Sequence, residues 1–176
     1  MVETVVGASI AHVLMELGMD VAEGDRVVLG GPWQGHAQFD LQAPGTPMLG
    51  FGEGWQEPEY TPLQGLSWRW ASGKAGLRIE AGGRDVELQI VGESPRRYFD
   101  RPSRVTVAAG ATQLLSVEAA SDFAWSVRVP ASALESSGGT ITIETDQFFR
   151  PADRGQGADR RALGLRIYRV MLKPAS

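Results

Sequence analysis

From residue 48 onward, apolar and polar residues alternate in short runs, each closed by Gly, Pro, Ser or Asp. Alternation with a period of two is the pattern of a strand with one buried face. The runs are 66–71 (LSWRWA), 76–80 (GLRIE), 86–91 (VELQIV), 104–107 (RVTV), 113–119 (QLLSVEA), 123–129 (FAWSVRV), 140–145 (TITIET) and 163–172 (LGLRIYRVML). Val86, Leu88 and Ile90 share one face of their run. In the last run Leu165, Ile167, Val170 and Leu172 are the candidate buried positions, and a bulge between Ile167 and Val170 is required to keep them on one side. Buried parallel strands would read as continuous apolar runs. Many short alternating strands with no helices between them predict an all-β antiparallel sandwich, jelly-roll-like, over residues 48–174.

The first 47 residues differ. Val5, Val6, Ile10, Val13, Leu14 and Leu17 fit a helical period over 4–19, with Gly18 as its stop. Short strands follow at 25–29 (DRVVL) and 36–41 (HAQFDL), and 43–47 (APGTP) is a break. The organisation read from this is an N-terminal segment, 1–47, with one short helix, and a β-sandwich domain, 48–176. The abrupt start reads as the stub of a longer parent. Two irregular segments interrupt the later pattern, 50–66 and 146–162. The second is long for a connection within a compact domain, and such loops are usually functional or mobile.

Composition narrows the chemistry. The 176 residues include no Cys and two His. That excludes a disulfide framework, a cysteine nucleophile and multi-histidine metal centres. Twenty-two Gly and 10 Pro serve mostly as punctuation between strands. The net charge is −4 with no basic stripe, which argues against nucleic acid as a partner. No run reaches the ~18 apolar residues that a membrane span needs, so this segment is not expected to contact a membrane itself. All cations but Lys74 and Lys173 are Arg, a bias that suits planar contacts to carboxylates or phosphates. No P-loop, Rossmann or G-x-S-x-G motif occurs, and no cofactor is implied.

Three groups of residues carry a resemblance. They are Gly52-Glu53-Gly54-Trp55 with Pro58-Glu59; Trp68-Arg69-Trp70; and Asp146 with Pro151, Asp153 and the Asp159–Ile167 stretch. The pattern resembles a β-sandwich accessory module of bacterial sugar transferases, including membrane mannosyltransferase-like proteins, and spans roughly residues 48–172. The first 47 residues do not match it. The resemblance implies a β-sandwich tied to bacterial cell-surface glycan assembly, on the extracytoplasmic or cytoplasmic side of a membrane-linked parent.

Tryptophan, arginine and aspartate are the side chains left for recognition. Trp55 lies in a Gly-rich loop between Glu53, Glu57 and Glu59, where a flat ring can stack on a sugar or else plug one end of the sandwich. Trp68 and Trp70 share a strand face, as a sugar platform or as sandwich core; Trp125 alternates with Phe123, Val127 and Val129 and reads as core. Asp146, Arg150, Asp153, Asp159, Arg160 and Arg161 alternate in sign in the long loop and suit bidentate contacts to hydroxyls, or an internal lattice of ion pairs. Carboxylates there could also hold Ca²⁺, but no EF-hand spacing occurs. The reading is a non-catalytic carbohydrate-binding module with Trp55, Glu57, Asp146, Arg150, Asp159 and Arg160 at one loop end. The alternatives are a structural domain that docks on its parent glycosyltransferase or forms a homodimer, and a hydrolase pairing Glu57 or Glu59 with Asp146 or Asp159.

Overall fold

The computed structural model describes residues 46–63 and 65–175. The helix read at 4–19 and the strands at 25–29 and 36–41 lie outside the described residues. Among these residues ten strands form in the order β1 (Met48–Phe51), β2 (Glu59–Thr61), β3 (Leu66–Ala71), β4 (Lys74–Glu80), β5 (Val86–Glu93), β6 (Ser103–Ala109), β7 (Thr112–Ala119), β8 (Asp122–Val129), β9 (Thr140–Thr145) and β10 (Leu165–Pro174). They make two five-stranded sheets, β1-β4-β9-β6-β7 and β2-β3-β10-β5-β8, called A and B below. Every pairing is antiparallel. The fold is a sandwich-like all-β domain.

The alternation read from the sequence sets which face of each strand is buried. Leu77, Val105, Val107, Ile141 and Ile143 of sheet A meet Val86, Leu88, Ile90, Val129 and Leu165 of sheet B. All ten are at most 1% exposed, and full burial of such a side chain stabilises by about 1.5–3 kcal/mol. The required bulge is present. The register of β10 on β5 shifts between Ile167 and Arg169, which returns Val170 and Leu172 to the core face. Trp125 packs against the core while remaining partly exposed, stacked on Phe123 with ring centroids 3.7 Å apart.

The structure adds three elements to the sequence reading. Strands β1 and β2, four and three residues long, lie at the edges of the two sheets. One helix, α1 (Ala131–Ser136), follows Pro130. The Asp85 carboxylate accepts the Ala131 N–H at 2.9 Å and binds Arg128 at 3.0 Å. That hydrogen bond, then Arg128, holds the Asp85 carboxyl below the usual carboxylate range.

A second hydrophobic cluster lies outside sheet B. Trp70 pairs with Arg166, and Arg166 pairs with Glu93. All three stand on the face away from the main core. Trp70, Phe99, Phe149 and Leu163 are buried together there, with Trp68 and Tyr98 packed against them. Phe99 and Tyr98 come from the segment after β5, and Phe149 and Leu163 from the long connection after β9. The two connections therefore fold over sheet B as a cap. This corrects both sequence readings of Trp68 and Trp70, which are neither sandwich core nor an open sugar platform. The Trp68 indole N–H donates to Glu59 at 3.1 Å, and the Arg166 guanidinium sits 3.8 Å from its ring centroid. One face of that ring is therefore covered by a cation. Tyr168 beside it is pushed up to about 12, by burial and by its hydrogen bond to Glu93.

Candidate functional site

The six residues singled out from the sequence are dispersed. Trp55 is half-buried, its backbone bridging to Ala71. Its indole N–H donates to the Gly76 carbonyl at 2.7 Å, and its ring meets Phe51 edge-on at 4.9 Å. Packed against the core, it acts as a rivet between the loop before β2 and strand β4. Glu57 is exposed on the same loop. Asp146, just past β9, accepts from Arg101 at 2.8 Å and from the Arg104 N–H at 2.8 Å. Arg150 lies over Phe148 and 4.0 Å from Asp153. Arg160 is exposed and makes no ion pair among the described residues.

Asp159 belongs to an interlocked group. Arg161 Nη2 meets the Asp159 carboxylate at 2.6 Å, and Arg161 Nη1 meets Glu59 at 2.9 Å. Glu59 also accepts from Trp68. The group joins β2, β3 and the end of the long connection. Arg161, which the sequence reading placed in the sign-alternating loop without giving it a ligand role, is its centre.

These contacts make Asp146 and Asp159 unsuited to the general-acid role in the carboxylate pairs considered for hydrolysis. A glycosidic general acid needs a raised pKa. The Asp159 carboxyl is instead held low by its Arg161 side-chain and backbone hydrogen bonds. Burial pushes Asp146 up, but the Arg101 hydrogen bond, the Arg104 N–H and both charges outweigh it and leave it lowered. Both are ion-paired anchors. A carboxyl lowered by folding stabilises above its unfolded pKa of about 3.9, and that stability is lost as pH falls through the folded value. The urea midpoint is therefore expected to drop as pH is lowered from about 4. In Asp146→Asn the drop over that range is expected to be shallower, measured by fluorescence-monitored unfolding at each pH. Among the described residues no three His, Asp or Glu side chains come together as a metal site.

The open volume lies on the outer face of sheet A. Lys74, Gly76 and Arg78 of β4 stand opposite Glu144, Thr142 and Thr140 of β9, on the side away from buried Leu77 and Ile141. The loop 52–54 crosses beside them, with Gly52 N–H donating to Gly76 at 2.9 Å and Gly76 N–H to Glu53 at 2.8 Å. Together they line a groove of about 590 Å³ bounded by Glu53, Lys74, Arg78, Thr140 and Thr142. A second hollow of about 350 Å³, lined by Arg104, Thr106, Glu144 and Asp146, continues from Lys74. Both volumes fall in the range of small-molecule sites, about 300–1,000 Å³. A hollow beside the β10 bulge, near Arg69 and Arg169, holds about 160 Å³ and falls below it.

The groove has a glycine floor, because Gly52, Gly54 and Gly76 put no side chain into it. The sequence signal for its walls was present in K-x-G-x-R over 74–78 and T-x-T-x-E over 140–144, polar at every second position. Of the six residues expected at the site, only Asp146 touches this surface, at the far end of the second hollow. No protein-family model, no curated protein sequence and no solved structure matches the chain.

Proposed function

We propose that residues 48–175 form a non-catalytic carbohydrate-binding accessory module of a bacterial cell-surface glycan assembly protein, with the sugar lying along the outer face of sheet A. The observation that carries this reading is the groove itself. It is open, floored by glycine and walled by two threonine hydroxyls, one carboxylate and two cations. Sugar hydroxyls both donate and accept, and such a mixed wall can satisfy them, most strongly through its charged members. The resemblance to sugar-transferase modules agrees with it. So does the finer topology. Strands β3 to β10 divide between the orders β3-β10-β5-β8 and β4-β9-β6-β7. We read this division as a jelly-roll arrangement with β1 and β2 added at the edges, an architecture that lectin domains use.

Titration calorimetry against bacterial surface oligosaccharides tests the reading. Thr142 faces Gly76 and Ala108 across the sheet, so Thr142→Phe fills the groove from a strand position where a large side chain has room. Binding is expected to weaken at least tenfold, about 1.4 kcal/mol, with the thermal midpoint unchanged. Equal binding by this variant, or no binding by the wild type at millimolar sugar, overturns it.

A docking or oligomerising role is the second reading, and one observation favours it. The β2–β3 hairpin exposes Tyr60, Leu63 and Leu66, with Leu63 at 99%. Exposed apolar residues on an edge hairpin are a common basis for association. Light scattering showing a dimer that Leu63→Asp dissolves would support it. Among the described residues no helix is long and apolar enough to cross a membrane.

A further inference from the structure

The cap over sheet B carries a concentration of positive charge that the acidic chain as a whole conceals. Its two segments, 96–101 and 146–161, hold seven arginines and four aspartates. Most of these cations are engaged. Arg101, Arg150 and Arg161 pair with carboxylates. Arg96 donates to the carbonyls of Phe99 and Asp100.

Of the three that remain, Arg97, Arg154 and Arg160, two share one aromatic ring. The Arg97 guanidinium lies 4.7 Å and the Arg154 guanidinium 5.6 Å from the centroid of the same ring, Tyr98. Tyr98 is in turn stacked on Phe149 at 3.9 Å, and Arg154 Nη2 donates to the Tyr98 carbonyl at 2.8 Å. Neither arginine makes an ion pair among the described residues. Two like charges are thus held at one aromatic ring by fixed contacts, with hydrogen-bonding edges left over. An oxyanion at this ring gains charge-assisted hydrogen bonds from the guanidiniums that flank it.

We propose that Arg97 and Arg154, braced on Tyr98, bind a carboxylate or phosphate group carried by an acidic polysaccharide. The oxyanion contact stands on the geometry; that its carrier is a glycan rests on the carbohydrate reading above. Two features favour a glycan over other polyanions. Tyr98 already has Phe149 stacked on it, so it is a poor platform for a nucleic-acid base. Arg96, Arg97, Arg154 and Arg160 lack a partner carboxylate, but Arg96 is held by the Phe99 and Asp100 carbonyls, which leaves three open cations, fewer than the ~4–8 clustered cations of an anionic-membrane site.

The test is calorimetric titration of the whole protein with oligogalacturonate, with glycerol-phosphate polymer and with neutral dextran, each at 20 mM and 300 mM salt. Single-stranded oligothymidylate and phosphatidylserine vesicles serve as competing polyanions. One acidic glycan is expected to bind at low salt and to weaken at least tenfold at high salt. Which one binds separates carboxylate from phosphate. Arg97→Gln, whose only described contact is with Tyr98, is expected to weaken binding at least fivefold without moving the thermal midpoint. Arg154→Gln tests the second cation, and if it unfolds the cap, Arg97→Gln decides alone. The proposal is overturned if neither acidic glycan binds, if Arg97→Gln binds like wild type, or if only the oligonucleotide or the vesicles bind. Thr142→Phe keeps the two readings apart. Acidic binding that survives this substitution but not Arg97→Gln supports the cap site and counts against the groove. Neutral-sugar binding lost only in Thr142→Phe, with no acidic binding, does the reverse.

Discussion

Phe149→Ala is expected to cost about 3–5 kcal/mol of folding stability, the range for removing a buried aromatic ring. Phe149 is 5% exposed, and three aromatic rings surround it. Trp70 and Phe99 meet it edge-on at 6.0 and 6.3 Å, and Tyr98 stacks on it at 3.9 Å. Its backbone exchanges both hydrogen bonds with Leu163, at 3.0 and 2.9 Å, so the ring and the ladder pin the long connection at both ends. Truncation leaves a cavity under the cap that the β3 and β10 strands beneath it cannot close. Denaturant unfolding gives the loss directly. Limited trypsin digestion adds a local readout, because Arg154 and Arg160 lie in the connection the ring secures, and cleavage there is expected to accelerate more than global unfolding explains. The neighbour supplies the contrast. Phe148 is 46% exposed, and Phe148→Ala is expected to stay within about 0.5 kcal/mol, as surface substitutions do. Equal costs at the two positions would mean that the cluster does not hold the cap.

The behaviour of Phe149 also shows where sequence reasoning stops. Period-two alternation placed β3 and β9 at their observed bounds and required the bulge in β10, because these are local facts about which side a residue faces. The same alternation put Trp68 and Trp70 on one face but could not say what covers it. The cover is built from residues 98, 99, 149 and 163, brought together by two distant connections. Length alone made residues 146–162 look like a mobile functional loop, whereas the paired Phe149 and Leu163, the short turn at Ala152–Arg154 and the Asp159–Arg161–Glu59 lock make it a built layer. Strands β1 and β2 escaped detection since three or four residues hold no readable period. Composition left Trp55 between a sugar platform and a plug because it does not reveal that its N–H is committed to Gly76. The groove walls were legible as polar alternate positions on two strands. Their adjacency was not, since β4 and β9 pair across more than sixty residues of chain.

Gly54 is where the groove and the fold depend on the same atom, and Gly54→Ala is expected to damage both. Its φ is +83°, a left-handed conformation that costs an L-residue roughly 1–2 kcal/mol. The larger obstacle is space. A Cβ at this position would stand 2.0 Å from the Lys74 carbonyl oxygen and 2.8 Å from the Ala75 Cα. Both are backbone atoms of β4 and cannot rotate away, so the loop has to lift from the sheet. Lifting it strains the Ser72 N–H bond to the Gly54 carbonyl, the Gly76 N–H bond to Glu53 and the Trp55 indole bond to Gly76. Net losses of about 1 kcal/mol for each weakened hydrogen bond, added to the backbone strain, give an expected cost of at least about 3 kcal/mol. Gly83→Ala isolates the conformational part. Gly83 has φ +74° with nothing within 4 Å of the added carbon, so its loss is expected to stay near the 1–2 kcal/mol of strain alone. Denaturant unfolding of the two variants side by side measures the difference, which is the contribution of close approach between the 52–54 loop and β4. In the fraction of Gly54→Ala that remains folded at low temperature, the groove is expected to lose its wall at Glu53 and, with it, affinity for any oligosaccharide that binds the wild type. Gly83→Ala, whose turn lies outside the groove lining, is expected to bind normally. If Gly54→Ala matched Gly83→Ala in stability, the loop would not be seated on β4, and the groove would have no fixed wall on that side.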